Sequence, residues 1–200
     1  MLRCPHCARE ATFVRPPLLV VVGPIGVGKS TICRRLAGTV PGAVLLDADI
    51  FGYQHVNVAA DEPDLAAFWR WLAEVAHEIA QNNLVVTYFS VMLREQLLEN
   101  AQTLEYFASV HFLYLTAPPH VLRERIVRQA GTIGSPVDIN AYVDERTTEW
   151  NAFNGRLHEA AAITPNTTAV DATRPASEVE REVRDWINSH LGRASVGATA

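Results

Sequence analysis

The sequence predicts a three-layer α/β/α fold on a five-stranded parallel sheet. Three observations carry this. Short apolar runs alternate along the chain with longer segments of helical period, the pattern of strand–helix–strand units. The first buried run, LLVVV at 18–22, leads directly into a glycine-rich stretch, GPIGVGKS at 23–30. The chain has 200 residues, the size of one α/β domain with a small insertion.

Each element follows in order. Residues 1–15 are expected to be an appendage carrying CPHC. Pro16-Pro17 favours extended backbone ahead of the first core strand, whose continuous β-branched run suits a strand buried on both faces. KSTICRRLAGTV reads as a helix ending near Gly38, and AVLLD at 43–47 as a second strand. Residues 64–80 have helical period, with Leu65, Phe68, Leu72, Val75 and Ile79 on one stripe; Asp61 and Asp64 near its start suit the helix dipole. NNLVVTYFS gives a third strand at about 84–89, REQLLENAQTL a helix, and SVHFLYLTA a fourth strand at about 109–115. PPHVLRERIVRQ is a helix begun by prolines. GTIGSPV at 131–137 is expected to break it, and helix to resume over 138–160. A last strand is expected at 167–171 and a last amphipathic helix over SEVEREVRDWINSHL, with Ser177 as its N-cap. One domain then spans 16–191, with a lid at about 123–160 and a disordered tail at 192–200.

Composition excludes several function classes. Hydrophobic content is 48% with 20% charged residues, ordinary for a globular chain with a core. Net charge is −5, and no basic run could follow a phosphate backbone, so no nucleic-acid partner is expected. The longest apolar stretch is too short and glycine-rich to cross a bilayer, and no signal peptide opens the chain. The expected location is cytoplasmic, with no membrane partner. Of 17 basic residues, sixteen are arginine and one is lysine, Lys29. Phosphate loops use a compact ammonium on a flexible stem, which a planar guanidinium replaces poorly. The cysteines are Cys4, Cys7 and Cys33. Cys4 and Cys7 form a C-x-x-C pair, half of a zinc site without a second pair; the alternative is an ordinary tail.

GPIGVGKS matches G-x-x-x-x-G-K-[ST] at every fixed position, between an apolar strand and a helix. Gly23, Pro24, Ile25, Gly26, Val27 and Gly28 are expected to wrap phosphate oxygens with backbone N–H groups, aided by the N-terminus of the following helix. Lys29 should bridge β- and γ-phosphates, Ser30 should ligate Mg²⁺, and Thr31 should reach an α-phosphate oxygen. ATP and Mg²⁺ are therefore the expected cofactors. LLDADIFG then places Asp47 and Asp49 at the end of the second strand. Residues i and i+2 of a strand share a face, so both carboxylates could reach the phosphate cleft. One could hold the metal shell (Asp47) and the other accept the acceptor's proton (Asp49). Alternatively, one caps the next helix and only one is catalytic.

GPIGVGKST, LLDADIFG and FLYLTAPPHVLRERIVRQ together resemble the small P-loop kinases of the nucleoside-monophosphate-kinase-like superfamily, over about residues 18–190. In layout the chain is nearest to chloramphenicol phosphotransferases, tunicamycin-resistance proteins and shikimate or gluconate kinases. The resemblance implies that Asp49, with Asp47 next, contacts the acceptor. It implies that Arg125 and Arg128 clamp phosphates or stack on adenine, and that Asp171–Pro175, with Arg174, packs the adenine edge. The third strand, LVVTYFS, departs from the wider pattern because no acidic residue ends it. The metal role then shifts to Asp47 or Asp49.

The acceptor pocket of such a fold lies over the sheet beside Tyr53, Gln54 and His55, the FWRW segment with Trp69 and Arg70, and Tyr88, Phe89 and Ser90. For Trp69, Arg70, His55 and His77 a structural or solvated role is the competing reading. Gly131–Val137 is a candidate lid hinge, with Arg123, Arg125, Arg128 and Arg146 around it. Two functions result. The first is an ATP- and Mg²⁺-dependent phosphotransferase acting on a hydroxyl of a small molecule (a nucleoside, sugar, metabolite or antibiotic). The second is a nucleotide-binding regulatory or drug-binding resistance protein that transfers nothing. Monomer and homodimer both stay open.

Overall fold

The structure, a computed structural model, describes residues 2–3, 6–11, 15–51, 65–91, 104–133 and 167–194. A two-stranded antiparallel hairpin comes first, β1 (Leu2–Arg3) and β2 (Glu10–Ala11). The main body follows as β3 (Leu18–Val22), α1 (Lys29–Leu36), β4 (Ala43–Asp47), α2 (Leu65–Ala80), β5 (Val85–Ser90), β6 (Val110–Thr116), α3 (Pro119–Ile133), β7 (Thr167–Asp171) and α4 (Ala176–Ala194). Its five strands run parallel in the order β4-β5-β3-β6-β7. The strand that feeds the glycine-rich loop is therefore central, with Val22 in register with Ser90 on one side and Tyr114 on the other.

Strand pleating divides the apolar residues between two cores. Leu19 and Val21 face α1 and α4, packing with Ile32, Leu36, Val183 and Ile187. Leu18, Val20 and Val22 face α2, packing with Phe68, Leu72, Tyr88 and Phe112. All five residues of β3 are buried, which explains why the run shows no polar alternation.

Several expected boundaries move. The third and fourth strands each run one residue further, to Ser90 and Thr116. Gly131 does not break α3, which is helical through Ile133. α4 continues to Ala194, past the expected start of a tail at 192. Ser177 is not its N-cap: the helix starts at Ala176, and the carbonyl of Pro175 accepts from the N–H of Glu178 and Val179. The buried face of α2 is also rotated from the expected stripe. It consists of Phe68, Trp69, Leu72, Ala73, Ala76 and Ala80, while Val75 and Ile79 are only partly buried. Three alanines let the helix lie close to the sheet, so small side chains set the face and large ones flank it. The helices expected at about 94–104 and 138–160, and the lid beyond 133, lie outside the described residues, as do Asp61 and Asp64.

Candidate active site

The loop after β3 has the shape of an anion cradle, and its neighbours hold it there. Gly26 and Gly28 sit at φ 75° and 111°, in the left-handed region that side-chain-bearing residues avoid. Gly23 needs its missing side chain for space: a Cβ there would lie 2.8 Å from the carbonyl oxygen of Leu115 and 2.9 Å from a Val27 methyl. A Cβ on Gly26 would come 3.0 Å from Ile126 and 3.1 Å from the Leu122 carbonyl, so α3 packs directly on the loop. Because the Leu115 oxygen is backbone on a central strand, it cannot give way. Gly23→Ala is expected to cost about 1–3 kcal/mol and to weaken nucleotide binding together with stability, read by thermal unfolding and titration of ATP.

Lys29 begins α1 and is buried. Its Nζ donates to the carbonyls of Gly23 at 2.8 Å and Pro24 at 3.2 Å, closing the loop on itself. Burial pulls its pKa below the ordinary lysine value, and the carboxylates of Asp49 and Asp47 oppose that shift. The ammonium has three donors, and one remains beyond these two carbonyls. Ser30 is half-buried and Thr31 exposed, both on the first turn of α1.

Asp47 is the last residue of β4, opposite Phe89 of β5. The chain then turns. Ala48 N–H donates to the Phe89 carbonyl at 2.9 Å, and a helical turn occupies 49–51. Asp49 N–H donates to Asp47 Oδ1 at 3.3 Å, which makes Asp47 the cap of that turn. The two aspartates therefore do not share a strand face, as pleating alone would predict; the strand ends between them. Asp47 has the parity of Ala43 and Leu45, which pack on the α1 side, and its charge also helps to raise the Cys33 thiol to about 11, after burial. The Asp49 carboxyl is raised above the usual carboxylate range, chiefly by burial; Lys29 opposes the shift and Asp47 adds to it. Lys29, Asp47 and Asp49 thus form one electrostatic group at the mouth of the glycine-rich loop.

A magnesium ion, which a loop of this type implies, would find hard oxygen donors here. The Ser30 hydroxyl and the Asp47 carboxylate are the expected pair, on adjoining elements, and magnesium is commonly held by one or two protein oxygens with waters and phosphates. Among the described residues no group of three or more His, Cys, Asp or Glu could hold a metal by itself.

Other expected site residues are placed differently. Arg125 of α3 is half-buried and donates to the carbonyls of Val27 at 3.2 Å and Ala172 at 2.8 Å. It ties the glycine-rich loop to the segment after β7, a contact across 98 and 47 residues that no local pattern reveals. Arg128 is exposed on the same helix. The Arg174 guanidinium donates to the Asp171 carbonyl and pairs with Glu182 of α4, at the surface of the segment after β7. Asp171 itself accepts from the N–H and hydroxyl of Thr173, which hold its carboxyl below the usual range.

On the acceptor side, Tyr88 is corrected. It is a fully buried core residue whose hydroxyl donates to the Leu72 carbonyl at 2.7 Å, because β5 turns that face toward α2. Tyr88→Phe is expected to cost about 1 kcal/mol of stability and to leave the affinity for any acceptor unchanged, measured by denaturant unfolding and KM. Trp69 is corrected in the same way. It is buried against Phe68, at 4.8 Å between ring centroids, rather than forming an open wall. Ser90 is fully buried at the end of β5, and Arg70 is exposed. One aromatic pair was not expected: Phe51, two residues after Asp49, meets Trp71 edge-on at 5.8 Å, both half-buried. Ile50, between Asp49 and Phe51, is 66% exposed. Tyr53, Gln54, His55 and Arg146 lie outside the described residues, while His77 stacks on Tyr106 at 4.5 Å.

The fold has solved counterparts. A gluconokinase from Sinorhizobium meliloti 1021 superposes with a TM-score of 0.59 at 19% identity, covering 93% of this chain and 99% of its own. A sugar kinase from Janibacter sp. HTCC2649 gives 0.60 at 22% identity, over 88% and 95%. The Deinococcus radiodurans tunicamycin resistance protein gives 0.55 at 18% identity, over 89% and 96%. At such identities the likeness concerns the fold. A sequence search of curated proteins returns no significant match. Residues 18–150, well over half of the chain, match the AAA domain family. That match takes in the central strand, the glycine-rich loop, Lys29 and both aspartates, and the chain belongs to the AAA domain family.

Proposed function

We propose that this protein is an ATP- and Mg²⁺-dependent phosphotransferase that moves the γ-phosphate of ATP to a hydroxyl of a small molecule. The observation that carries the reading is Asp49. It is a half-buried carboxylate whose pKa is raised by burial, within the field of the loop lysine and beyond the end of β4. A carboxyl in that condition is suited to take a proton from an attacking hydroxyl.

In the proposed reaction the acceptor oxygen forms a bond to the γ-phosphorus and the bond from that phosphorus to the β,γ-bridging oxygen breaks. ADP leaves, and the hydroxyl proton passes to Asp49. The loop N–H groups and the N-terminus of α1 orient the phosphates. Lys29 exchanges its carbonyl partners for phosphate oxygens and neutralises charge on them. Ser30 and Asp47 would hold the magnesium shell, and the ion would supply charge neutralisation to the phosphates. Arg125 keeps the loop registered against the segment at Ala172, where the adenine edge is assigned. Arg128, exposed on the next turn of α3, is assigned to the phosphates when the acceptor is in place.

The choice of acceptors to test is guided by the names of fold relatives, a gluconokinase, a sugar kinase and a tunicamycin resistance protein. A panel of sugars and sugar acids, nucleosides, coenzyme precursors and hydroxyl-bearing antibiotics covers them. The test is ADP release with a mass-spectrometric search for a product heavier by one phosphate. A product that disappears in Asp49→Asn supports the reading. Tight ATP binding with ligand-dependent affinity and no product from any acceptor favours the second function, a binding protein without transfer.

A further inference from the structure

Asp49 is followed directly by a large apolar side chain that the fold leaves in solvent. Ile50 is 66% exposed, and Ile25 of the glycine-rich loop is 39% exposed. Among the described residues these are the large apolar side chains that stand exposed. A single exposed isoleucine is ordinary, but here both belong to the segments that carry the phosphate loop and the base.

Behind Ile50 runs a continuous path of rings. Phe51 meets Trp71 at 5.8 Å, Trp71 stacks on Phe68 at 6.3 Å, and Phe68 meets Trp69 at 4.8 Å between centroids. The path lies at the carboxyl edge of the sheet. Only residues 81–84 separate α2 from β5, so α2 runs against the strands and its first turns stand where β4 ends. Tyr88 of β5 bonds the Leu72 carbonyl, and Trp69 is one turn nearer that edge. Trp69 ends the path with an unanswered group. Its ring belongs to the core, but its indole N–H is buried and meets no hydrogen-bond acceptor. A buried donor without a partner is a net cost to the fold, and a ligand oxygen removes that cost.

We propose that the acceptor is a neutral molecule bearing an apolar ring, which lies on Ile50 and the Phe51–Trp71 pair while one of its oxygens accepts from the Trp69 indole N–H. The inference rests on the phosphotransferase reading, because it names the substrate class of that site. Charge argues for neutrality: an anionic acceptor would approach Asp47 and Asp49, and apolar rings give it no counter-ion. Area argues for the ring: a small polyol lacks the apolar surface that these side chains can cover. Trp69 is then a specificity-determining residue.

The test measures binding apart from turnover. The full chain with Mg²⁺ and ADP is titrated calorimetrically with phenyl β-glucoside and uridine as neutral ring-bearing probes, and with methyl β-glucoside and gluconate as ringless and anionic ones. The ring-bearing probes should bind about tenfold more tightly. Trp69→Phe and Ile50→Ser should each weaken them about 3–10-fold and leave ADP affinity unchanged. Trp69→Phe should also keep the thermal midpoint of the free protein, since the lost N–H had no partner there. Ile50 is exposed, so its variant tests the site without disturbing the core. Gluconate or methyl β-glucoside binding as tightly as the ring-bearing probes, no binding of either ring-bearing probe, or parental probe affinity in both variants would overturn the proposal. A lowered midpoint in Trp69→Phe with parental probe affinity would make Trp69 a core residue alone and overturn its assignment. Binding as expected with no phosphorylated product from ATP would uphold the site and remove the transfer reading instead.

Discussion

Asp49→Asn is expected to abolish phosphoryl transfer while leaving ATP affinity nearly unchanged. The amide keeps the shape of the carboxylate but cannot take up a proton, and loss of a general base lowers turnover on the order of 10²–10⁴-fold. The pH dependence adds a second signature. Burial raises the Asp49 carboxyl above its ordinary value. The parent rate should climb as pH rises through that raised value and level off above it; the asparagine variant should show no such limb. Stability moves the opposite way. The folded state holds the Asp49 proton more tightly than the unfolded chain, so this group's contribution is full below the unfolded pKa and is lost as pH rises through the folded one. The variant should lose that slope in a plot of thermal midpoint against pH. Equal loss of ATP binding and transfer in Asp49→Asn would sink the role assigned to it.

Lys29→Met is expected to weaken nucleotide binding itself. Charge-assisted bonds to phosphate contribute about 1.5–3 kcal/mol, so affinity for ATP should fall on the order of 10–100-fold, and transfer should fall further. Methionine keeps the length and apolar stem of the lysine, so the buried side chain still fills its place beside Gly23 and Pro24. Lys29→Arg should not rescue: the planar fork does not fit where a compact ammonium points at two adjacent carbonyls of its own loop. Because burial lowers the lysine pKa, the folded state binds this proton less tightly than the unfolded chain. Its contribution to stability therefore grows as pH rises from the lowered folded value toward the ordinary one, and the methionine variant should lose that alkaline gain. Calorimetric titration of ATP and thermal unfolding decide both. ATP binding at parental strength in Lys29→Met would remove the lysine from the phosphate site.

The parts of the site that were legible share a property: they lie close together along the chain. Loop, lysine and first helix are one uninterrupted stretch, and glycine spacing encodes backbone angles directly, as φ 75° at Gly26 and 111° at Gly28 show. The aspartates were legible as a pair, with a shared strand face and a capping role for one of them as the two open readings. A period-2 reading assumed that the strand continued, whereas the chain turns helical at 49 and Asp47 is used as the cap. Tyr88 and Trp69 were misplaced for a related reason. Polar-edged aromatics suit both a binding wall and a core, and which they enter depends on the face that neighbouring elements cover.

By itself the sequence determined the α/β class, the parallel sheet, the phosphate loop and the identity of its lysine and aspartates, because hydrophobic period and glycine placement act over a few residues. Only the tertiary structure decided the rest. It rotated α2 so that Trp69 and three alanines meet the sheet. It turned Arg174 to Glu182 and made Arg125 the tie between Val27 and Ala172. It packed Leu122 and Ile126 on Gly26. Those choices depend on which surfaces meet across tens of residues, and close packing fixes them only when the whole sheet is assembled.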